Sequence, residues 1–172
     1  MEKVKNLKNA ISNKISKEFS AIIGGALFIA ILSKIVMFLP FTPVPVTMQT
    51  LATMLVAAAL GKKGVLSVLT YIALGIFGLP VISAGMFTVG YIMGFAVAAY
   101  VIGYMFEAKI VHNLPSSFLA FCLGELIIIT MGATWLSIFT KYGFAVGFFP
   151  FLLGGLFKAC LATYITKLIK KW

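Results

Sequence analysis

Long apolar segments alternate with short polar or proline-containing connections along most of the chain. A transmembrane helix needs ~20 consecutive, mainly apolar residues, and four of the segments have about that length. Two shorter segments lie next to each other in the first half of the chain, and irregular backbone buried in protein must complete their crossings. The pattern predicts six transmembrane helices, at about residues 19–39, 48–60, 65–77, 87–106, 116–139 and 150–170.

The composition is that of a protein that resides in a bilayer. Of the 172 residues, 62% are hydrophobic and only 10% are charged, whereas a soluble domain has about 25% charged residues. Because the apolar runs are continuous rather than alternating, we do not expect a β-barrel. We therefore predict an all-α integral membrane protein of the cell membrane, with a basic tail at residues 1–18 and a six-helix domain at residues 19–172. The tail either lies on anionic lipid as an amphipathic helix or acts as a topology signal.

The lysines orient the predicted helices. The chain has 14 lysines, 4 glutamates and neither arginine nor aspartate, which gives a net charge of +10. Eleven lysines fall on one predicted side of the membrane, and the opposite loops hold one, Lys141. Positive residues mark the cytoplasmic side, so we predict that both termini are cytoplasmic. Because the lysines lie at helix ends and form no continuous basic face, we expect no nucleic-acid partner.

Three irregular connections are predicted on the outer side. The first, at residues 40–50, contains three prolines, which exclude a regular helix. Its threonines and glutamine require contact with protein or water rather than lipid. The second follows Gly78, and the third is the glycine- and phenylalanine-rich stretch at residues 141–149. Three such loops on one side of a small bundle predict an outward-facing pocket capped by loops.

One lysine lies where a cation is costly. Lys158 falls about two turns inside the sixth predicted helix, and a lysine at the bilayer centre costs ~2.5–3.5 kcal/mol on insertion scales. Such a residue faces a cavity or the bundle interior, or else it snorkels to the interface. Glu125 of the fifth helix falls at a similar depth, and pairing would reduce the cost of both charges. The pair would be structural or would line the pocket, and Glu125 is also a candidate coupling residue for a proton-driven transporter.

Polar residues at the outer helix ends complete the candidate site. Gln49 begins the second helix, with Thr47 and Thr50 beside it. A helix N-terminus presents free N–H groups that favour anionic partners, and the same residues are suited to capping the helix; the two roles are compatible. Tyr91 lies near the outer end of its helix and is predicted to reach the pocket, whereas Tyr71 is expected in the interfacial aromatic belt.

The sequence lacks the motifs of hydrolytic and metal-dependent enzymes. It contains no Walker A motif, no HExxH and no nucleophile arrangement. Cys122 and Cys160 lie inside apolar spans and are interpreted as small buried hydrophobic residues. We therefore expect a protein that is not an enzyme and needs no cofactor or metal. Energy for any transport must come from a gradient or from another chain.

Three stretches carry a resemblance to a known family. They are LPFTPVPVTMQTLATMLVAAALGKKG at residues 39–64, YIALGIFGLPV at residues 71–81 and PFLLGGLFKA at residues 150–159. On these residues the chain resembles the BioY family, the biotin-specific substrate-binding subunits (S components) of energy-coupling factor (ECF) transporters. The resemblance implies six helices, both termini inside, and a biotin pocket that opens outward beneath the loops.

The resemblance also implies roles for individual residues. Gln49 and Lys158 stand at positions of the family's polar contacts to biotin, and Thr47 beside Gln49 joins the substrate-binding candidates. The sulfur-containing bicyclic ring of biotin suits aromatic walls such as Phe41 and Tyr91.

A pair of small residues on the first helix matches a docking motif of the family. Ala26 and Ala30 have the spacing that lets helices approach closely, and family members use this motif to dock a membrane scaffold subunit. That scaffold joins two ATPase subunits, so the resemblance implies these partners for the present chain.

Two departures from the family pattern concern the ligand. Gly155 stands where the family has an acidic residue that accepts from the ureido ring, and Glu125 is a candidate to replace it. The outer loop after the third helix is shortened. The residues that keep the family pattern there are Thr88, Gly90, Tyr91 and Gly94. A substitute group at a biotin site and a different, biotin-like ligand both remain open.

Three functions follow from the sequence, in this order. The first is high-affinity biotin binding and uptake as the S component of an ECF transporter. The second is a self-sufficient vitamin transporter, working alone or as an oligomer, for which Glu125 would be the coupling residue. The third is a membrane scaffold or assembly protein that has no ligand.

Overall fold

Six α-helices form most of the computed structural model, which describes residues 2–78 and 85–170. The helices are α1 (Glu2–Leu32), α2 (Gln49–Leu60), α3 (Gly64–Ile76), α4 (Val89–Glu107), α5 (Leu114–Phe139) and α6 (Phe144–Ile169). Two short antiparallel strands lie between α1 and α2, and they are β1 (Val36–Met37) and β2 (Val46–Thr47). Single turns of 3-10 helix precede α3 and α4, at Gly61–Lys63 and Gly85–Thr88.

Five segments of the described chain are long and apolar enough to cross a bilayer. They are α1 from Asn9 onward, α2 and α3 taken together, and the three segments that contain α4, α5 and α6. Large apolar side chains cover their outer surface; Leu153, for example, is 81% exposed. An apolar surface of this extent suits contact with lipid rather than water. The chain is therefore a multi-pass protein of the cell membrane.

The chain folds back sharply between α2 and α3. Gly61 has a φ of 62°, a left-handed value that glycine adopts without steric cost. A Cβ atom built on Gly64 would lie only 2.9 Å from the Cα of Ala57. Residues seven positions apart in a continuous helix are ~10 Å apart, so the close approach requires a reversal. The two short helices therefore lie side by side.

The first helix differs from its prediction at both ends. It ends at Leu32 rather than near residue 39, because the following residues form the β1–β2 ladder, in which Val36 is paired with Thr47. It begins at Glu2, so the same helix passes without interruption through the predicted boundary between residues 18 and 19. The N-terminal tail is thus a helical extension of the first span.

The last helix begins earlier than its prediction. It starts at Phe144, and Pro150 lies inside it. The prediction that residues 141–149 form an irregular loop was wrong for most of that stretch, because a proline inside a helix removes only one backbone hydrogen bond and packed neighbours make this tolerable. The start of α5 was predicted correctly to within two residues, and Asn113 and Ser116 form a reciprocal capping box there.

Packing places α4 and α2 in the interior of the bundle. Helix α4 contacts α2, α3 and α5, while α6 packs against α5 and α2. Helix α1 covers α2 and α3. The first turns of α2 and α4 and the middle of α5 and α6 converge around a group of buried polar side chains.

Candidate functional site

A small cavity of about 30 Å³ lies where α2, α4, α5 and α6 meet the connection between β1 and β2. Its polar lining residues are Thr47, Gln49, Thr50, Thr88, Tyr91, Glu125 and Lys158. Its apolar lining residues are Val44, Pro45, Ile92, Phe95, Ile128, Ile129 and Phe151. The structure thus gathers five of the six predicted substrate-binding residues around one space, although they come from four helices and strand β2.

Lys158 of α6 points into the bundle. Its side chain is almost completely buried, with 4% of the residue exposed. The ammonium group donates a hydrogen bond to Thr50 Oγ1 at 2.6 Å and forms an ion pair with Glu125 Oε1 at 3.3 Å. The alternative of a snorkelling lysine was wrong, because α6 presents this residue to α2 and α5 rather than to lipid.

Glu125 of α5 has one carboxylate oxygen in this ion pair and one that lacks a partner. Oε2 is buried and makes no hydrogen bond within the described residues. A buried acceptor left unsatisfied costs free energy, and more so when the group is charged. Because Glu125 also lines the cavity, a ligand that donates an N–H group there would remove this cost.

Gly155 of α6 makes room for the Glu125 side chain. A Cβ atom on Gly155 would lie 2.8 Å from Glu125 Oε1 and would also overlap the aliphatic part of the same side chain. Glu125 therefore occupies the volume that a side chain at position 155 would need. A side chain at position 155 and the present Glu125 side chain therefore exclude each other.

Gln49, the first residue of α2, is held at both ends of its amide. Thr47 donates its hydroxyl hydrogen to Gln49 Oε1 at 3.0 Å, and Gln49 Nε2 donates to the Tyr71 hydroxyl oxygen at 2.6 Å. The backbone N–H of Gln49 also reaches Thr47 Oγ1 at 3.4 Å, so Thr47 contributes to capping as well. The expectation that Tyr71 lies in an interfacial belt was wrong, since this residue is fully buried.

Tyr91 of α4 forms an aromatic wall of the cavity. Its hydroxyl donates to the backbone carbonyl of Gly147 on α6 at 2.6 Å. The ring packs against Phe151, with 5.5 Å between the ring centroids. It also covers Gly132 of α5, where any side chain would collide with it. Tyr91 thereby joins three helices at the cavity.

Three predicted residues lie away from the cavity. Phe41 is 61% exposed and is absent from the lining, because the proline-rich turn directs its side chain away from the bundle. Ala26 is fully buried within the chain and Ala30 is half-buried. Ala26 therefore serves the packing of α1 inside the bundle, and its side chain offers no surface to a scaffold subunit. Cys160, expected to be buried, is exposed.

Two residues of the site were missed or underrated by the sequence reasoning. Thr50 was noted only as a neighbour of Gln49, yet it accepts the shortest hydrogen bond of Lys158. No local signal links two residues 108 positions apart. Tyr71 and Ser67 share one face of α3 at a spacing of four, and this polar pair in an apolar helix was the available signal.

The described residues contain no group of three or more His, Cys, Asp or Glu side chains that is placed to hold a metal ion. The site is therefore defined by one buried cation, one carboxylate, an amide, hydroxyl groups and aromatic walls.

Comparison with known proteins identifies the family. The family model of BioY matches residues 3–172. This chain belongs to the BioY family. The resemblance predicted from the three sequence stretches is thereby confirmed, and the match extends across nearly the whole chain.

Several relatives in the BioY family are about one third identical to the chain. The biotin transporter BioY2 of Lactococcus lactis subsp. cremoris is 32% identical over 151 residues, covering 81% of this chain and 82% of that protein. The biotin transporter BioY of Rhizobium etli is 32% identical over 167 residues, covering 84% and 89%. The biotin transporter BioY of Thermotoga maritima is 35% identical over 146 residues, covering 77% and 85%.

A solved structure shares the fold. The crystal structure at 2.1 Å of the S-component for biotin from an ECF-type ABC transporter matches with a TM-score of 0.80 at 26% identity, covering 93% of this chain and 94% of that one. The chain therefore has the membrane fold of an S component. The relatives are named as transporters, which points to a role other than catalysis.

Breaking the buried ion pair should destabilise the protein. We expect Lys158→Met alone or Glu125→Met alone to lower the free energy of unfolding by about 3–5 kcal/mol, because each leaves an uncompensated buried charge. The double variant Glu125→Met/Lys158→Met should recover most of this loss. Thermal unfolding in detergent measures the effect. The exposed pair Lys62–Glu107 provides the control, and Lys62→Ala should cost at most about 1 kcal/mol. If Lys158→Met lowered the free energy of unfolding no more than Lys62→Ala does, the account would be contradicted.

Proposed function

We propose that this protein binds biotin beneath its outer loops with high affinity and delivers it across the membrane as the S component of an ECF transporter. The observation that carries the proposal is the buried pair of Lys158 and Glu125 beside a cavity, with one carboxylate oxygen left without a partner among the described residues. Membership of the BioY family and the biotin transporters among its relatives support the choice of ligand.

The chemistry of biotin complements the lining of the cavity. Its ureido ring offers N–H donors that suit Glu125 Oε2, and its carboxylate or its ureido oxygen suits the ammonium group of Lys158. Gln49 provides a further amide to the polar part of the ligand. The sulfur-containing ring suits the apolar and aromatic wall that includes Tyr91 and Phe151.

Binding requires movement of the outer loops. A cavity of about 30 Å³ holds roughly two water molecules, whereas ligand sites have volumes of ~300 Å³ or more. Val44 and Pro45 are buried residues of the connection that lines the cavity. We propose that this connection moves outward to admit biotin and closes over it, and that Phe41 at its exposed tip contributes to the closing loop.

We further propose that all six helices cross the membrane and that both termini are cytoplasmic. The sharp reversal between α2 and α3 supports two separate crossings. Two ion pairs, Lys63–Glu18 at 2.6 Å and Lys62–Glu107 at 3.5 Å, join the α2–α3 turn to α1 and to the end of α4. Basic residues thus gather at one end of the bundle, which supports assignment of that end to the cytoplasm.

A scaffold and two ATPases are the partners implied by this function. The exposed side of α1 beside Ala30 is the proposed contact with the scaffold, with Ala26 supporting it from inside the bundle. The similarity to an S component of an ECF-type transporter supports this partnership.

Removing the buried cation should weaken binding. We expect Lys158→Ala to raise the Kd for biotin at least tenfold, which corresponds to about 1.4 kcal/mol or more, because the ligand loses its cationic partner. Isothermal titration calorimetry of the detergent-purified protein measures this change, with lipoate as the competing biotin-like ligand. Lys34→Ala, at an exposed position of the turn that follows α1, is the control. Equal affinity of Lys158→Ala and wild type would remove Lys158 from the site.

Moving the carboxylate from α5 to α6 should preserve binding. Gly155→Asp alone should weaken biotin binding at least tenfold, because the new side chain meets Glu125 and crowds a second negative charge into the site. In Glu125→Ala/Gly155→Asp the clash is absent and one carboxylate remains, so affinity should return to within about threefold of wild type, a difference below about 1 kcal/mol. Calorimetric titration with biotin measures the affinity of both variants. Unchanged biotin binding in Glu125→Ala alone would show that no carboxylate is needed.

A self-sufficient, gradient-driven transporter is the second candidate, favoured by the partnerless oxygen of Glu125. Uptake of radiolabelled biotin into proteoliposomes separates the two functions. We expect uptake only when a scaffold and ATP-hydrolysing subunits are reconstituted with the chain, because the sequence contains no Walker A motif. Glu125-dependent uptake by the chain alone, driven by an imposed proton gradient, would favour the second candidate.

A further inference from the structure

We infer that a groove between α1 and α6 binds one anionic phospholipid, with an acyl chain along the groove and the phosphate group beside Lys170. Helix α1 packs against α2 and α3, whereas α6 packs against α5 and α2. The space between α1 and α6 has α2 as its floor and a volume of about 350 Å³. Its lining residues differ from those of the ligand cavity, so the inference does not depend on the proposed function.

Small residues open this groove. Gly24 of α1 and Ala59 of α2 both line it, and both are exposed. A Cβ atom built on Gly24 would make no contact beyond its own helix within 4 Å among the described residues. The larger side chains of the lining are mainly apolar, and Phe28, Leu55 and Ile165 are among them. Such a surface suits hydrocarbon rather than water.

The groove is too narrow for a further helix. It follows α1 from Ala21 to Phe28, a length of ~10 Å at the rise of an α-helix. About 350 Å³ over that length corresponds to a mean width of roughly 6–7 Å, whereas a helix with its side chains is ~10–12 Å across. An acyl chain carries no side chains and enters such a groove directly from the bilayer.

Positive charge gathers at one end of the groove. Lys170 lines this end, and its ammonium group lies 4.3 Å from the centroid of the Phe106 ring. This cation–π contact holds the charge against the bundle. Lys17 is exposed one turn before Ala21, on the same face of α1. Two lysines thus flank the position of a lipid headgroup.

The carboxylates at this end of the bundle are committed to other lysines. Glu18 pairs with Lys63 at 2.6 Å, and Glu107 pairs with Lys62 at 3.5 Å. Basic pockets between transmembrane helices bind anionic lipid headgroups. The phosphate of an anionic lipid complements the two lysines of the groove, whereas a zwitterionic headgroup would also bring a cation towards them.

Neutralising the lysine of the groove should weaken lipid binding. Native mass spectrometry of the full chain, titrated with phosphatidylglycerol or phosphatidylcholine, measures the affinity for each lipid. We expect one phosphatidylglycerol to bind at least about tenfold more tightly than phosphatidylcholine, because two lysines act on its charge. Lys170→Gln should weaken phosphatidylglycerol binding about fivefold, the effect of one lysine beside an anionic headgroup. Lys167→Gln, at an exposed lysine of the same helix end that lies outside the lining, is the matched control and should bind like wild type.

Filling the groove should remove the lipid. Gly24→Phe places a ring in the open space, and we expect it to abolish the retained phosphatidylglycerol. Ile23→Phe, at the neighbouring residue, which is 37% exposed and lies outside the lining, should retain it. Thermal unfolding shows whether each variant is folded. If Gly24→Phe does not fold, Ala59→Phe fills the groove from α2 and gives the decision.

Four results would overturn the inference. The first is equal affinity of wild type for the two lipids, and the second is an equal loss in Lys170→Gln and Lys167→Gln, which would indicate general attraction to the surface. The third is phosphatidylglycerol retained in folded Gly24→Phe or Ala59→Phe. The fourth is a wild-type dimer that retains no lipid and dissociates in Gly24→Phe, which would make the groove an interface between two copies of the chain.

Discussion

An ion pair held inside the membrane bundle, between Lys158 of α6 and Glu125 of α5, is the interaction on which the site depends. Neither charge is stable alone in an apolar interior. The pair therefore requires that α5 and α6 present these residues to each other, and that α2 supply Thr50 as a second partner for the ammonium group. One carboxylate oxygen has no donor among the described residues. The fold thus leaves one buried interaction for a ligand to complete.

Glycines determine how closely the surrounding helices approach. Gly155 leaves the space that the Glu125 side chain fills, while Gly132 and Gly147 lie against the Tyr91 ring and its hydroxyl group. Together these contacts join α4, α5 and α6 to one another beside the cavity. The polar groups and the aromatic wall are consequently brought together by backbone proximity, and the β1–β2 connection covers them. Movement of that connection is the step that our proposal requires for ligand entry.

The apolar helices and the buried ion pair could be predicted because hydropathy and charge are decisive in a bilayer. A lysine and a glutamate at similar depths predicted a pair, and the structure contains it. Tertiary features were harder to predict from the sequence. The β1–β2 ladder has two residues in each strand, too short for a periodic pattern. The outward direction of Phe41 and the burial of Ala26 depend on the path of neighbouring segments, and a proline within α6 gave a misleading start signal.

The central claim is that the free oxygen of Glu125 receives a donor from the ligand while Lys158 stays in the same site. A structure determined with biotin bound tests this most directly. The account predicts a ureido nitrogen within hydrogen-bonding distance of Glu125 Oε2, about 3 Å, with the Lys158 ammonium group also contacting the ligand. Biotin bound elsewhere, or seated in the cavity with that oxygen still lacking a donor, would contradict the account.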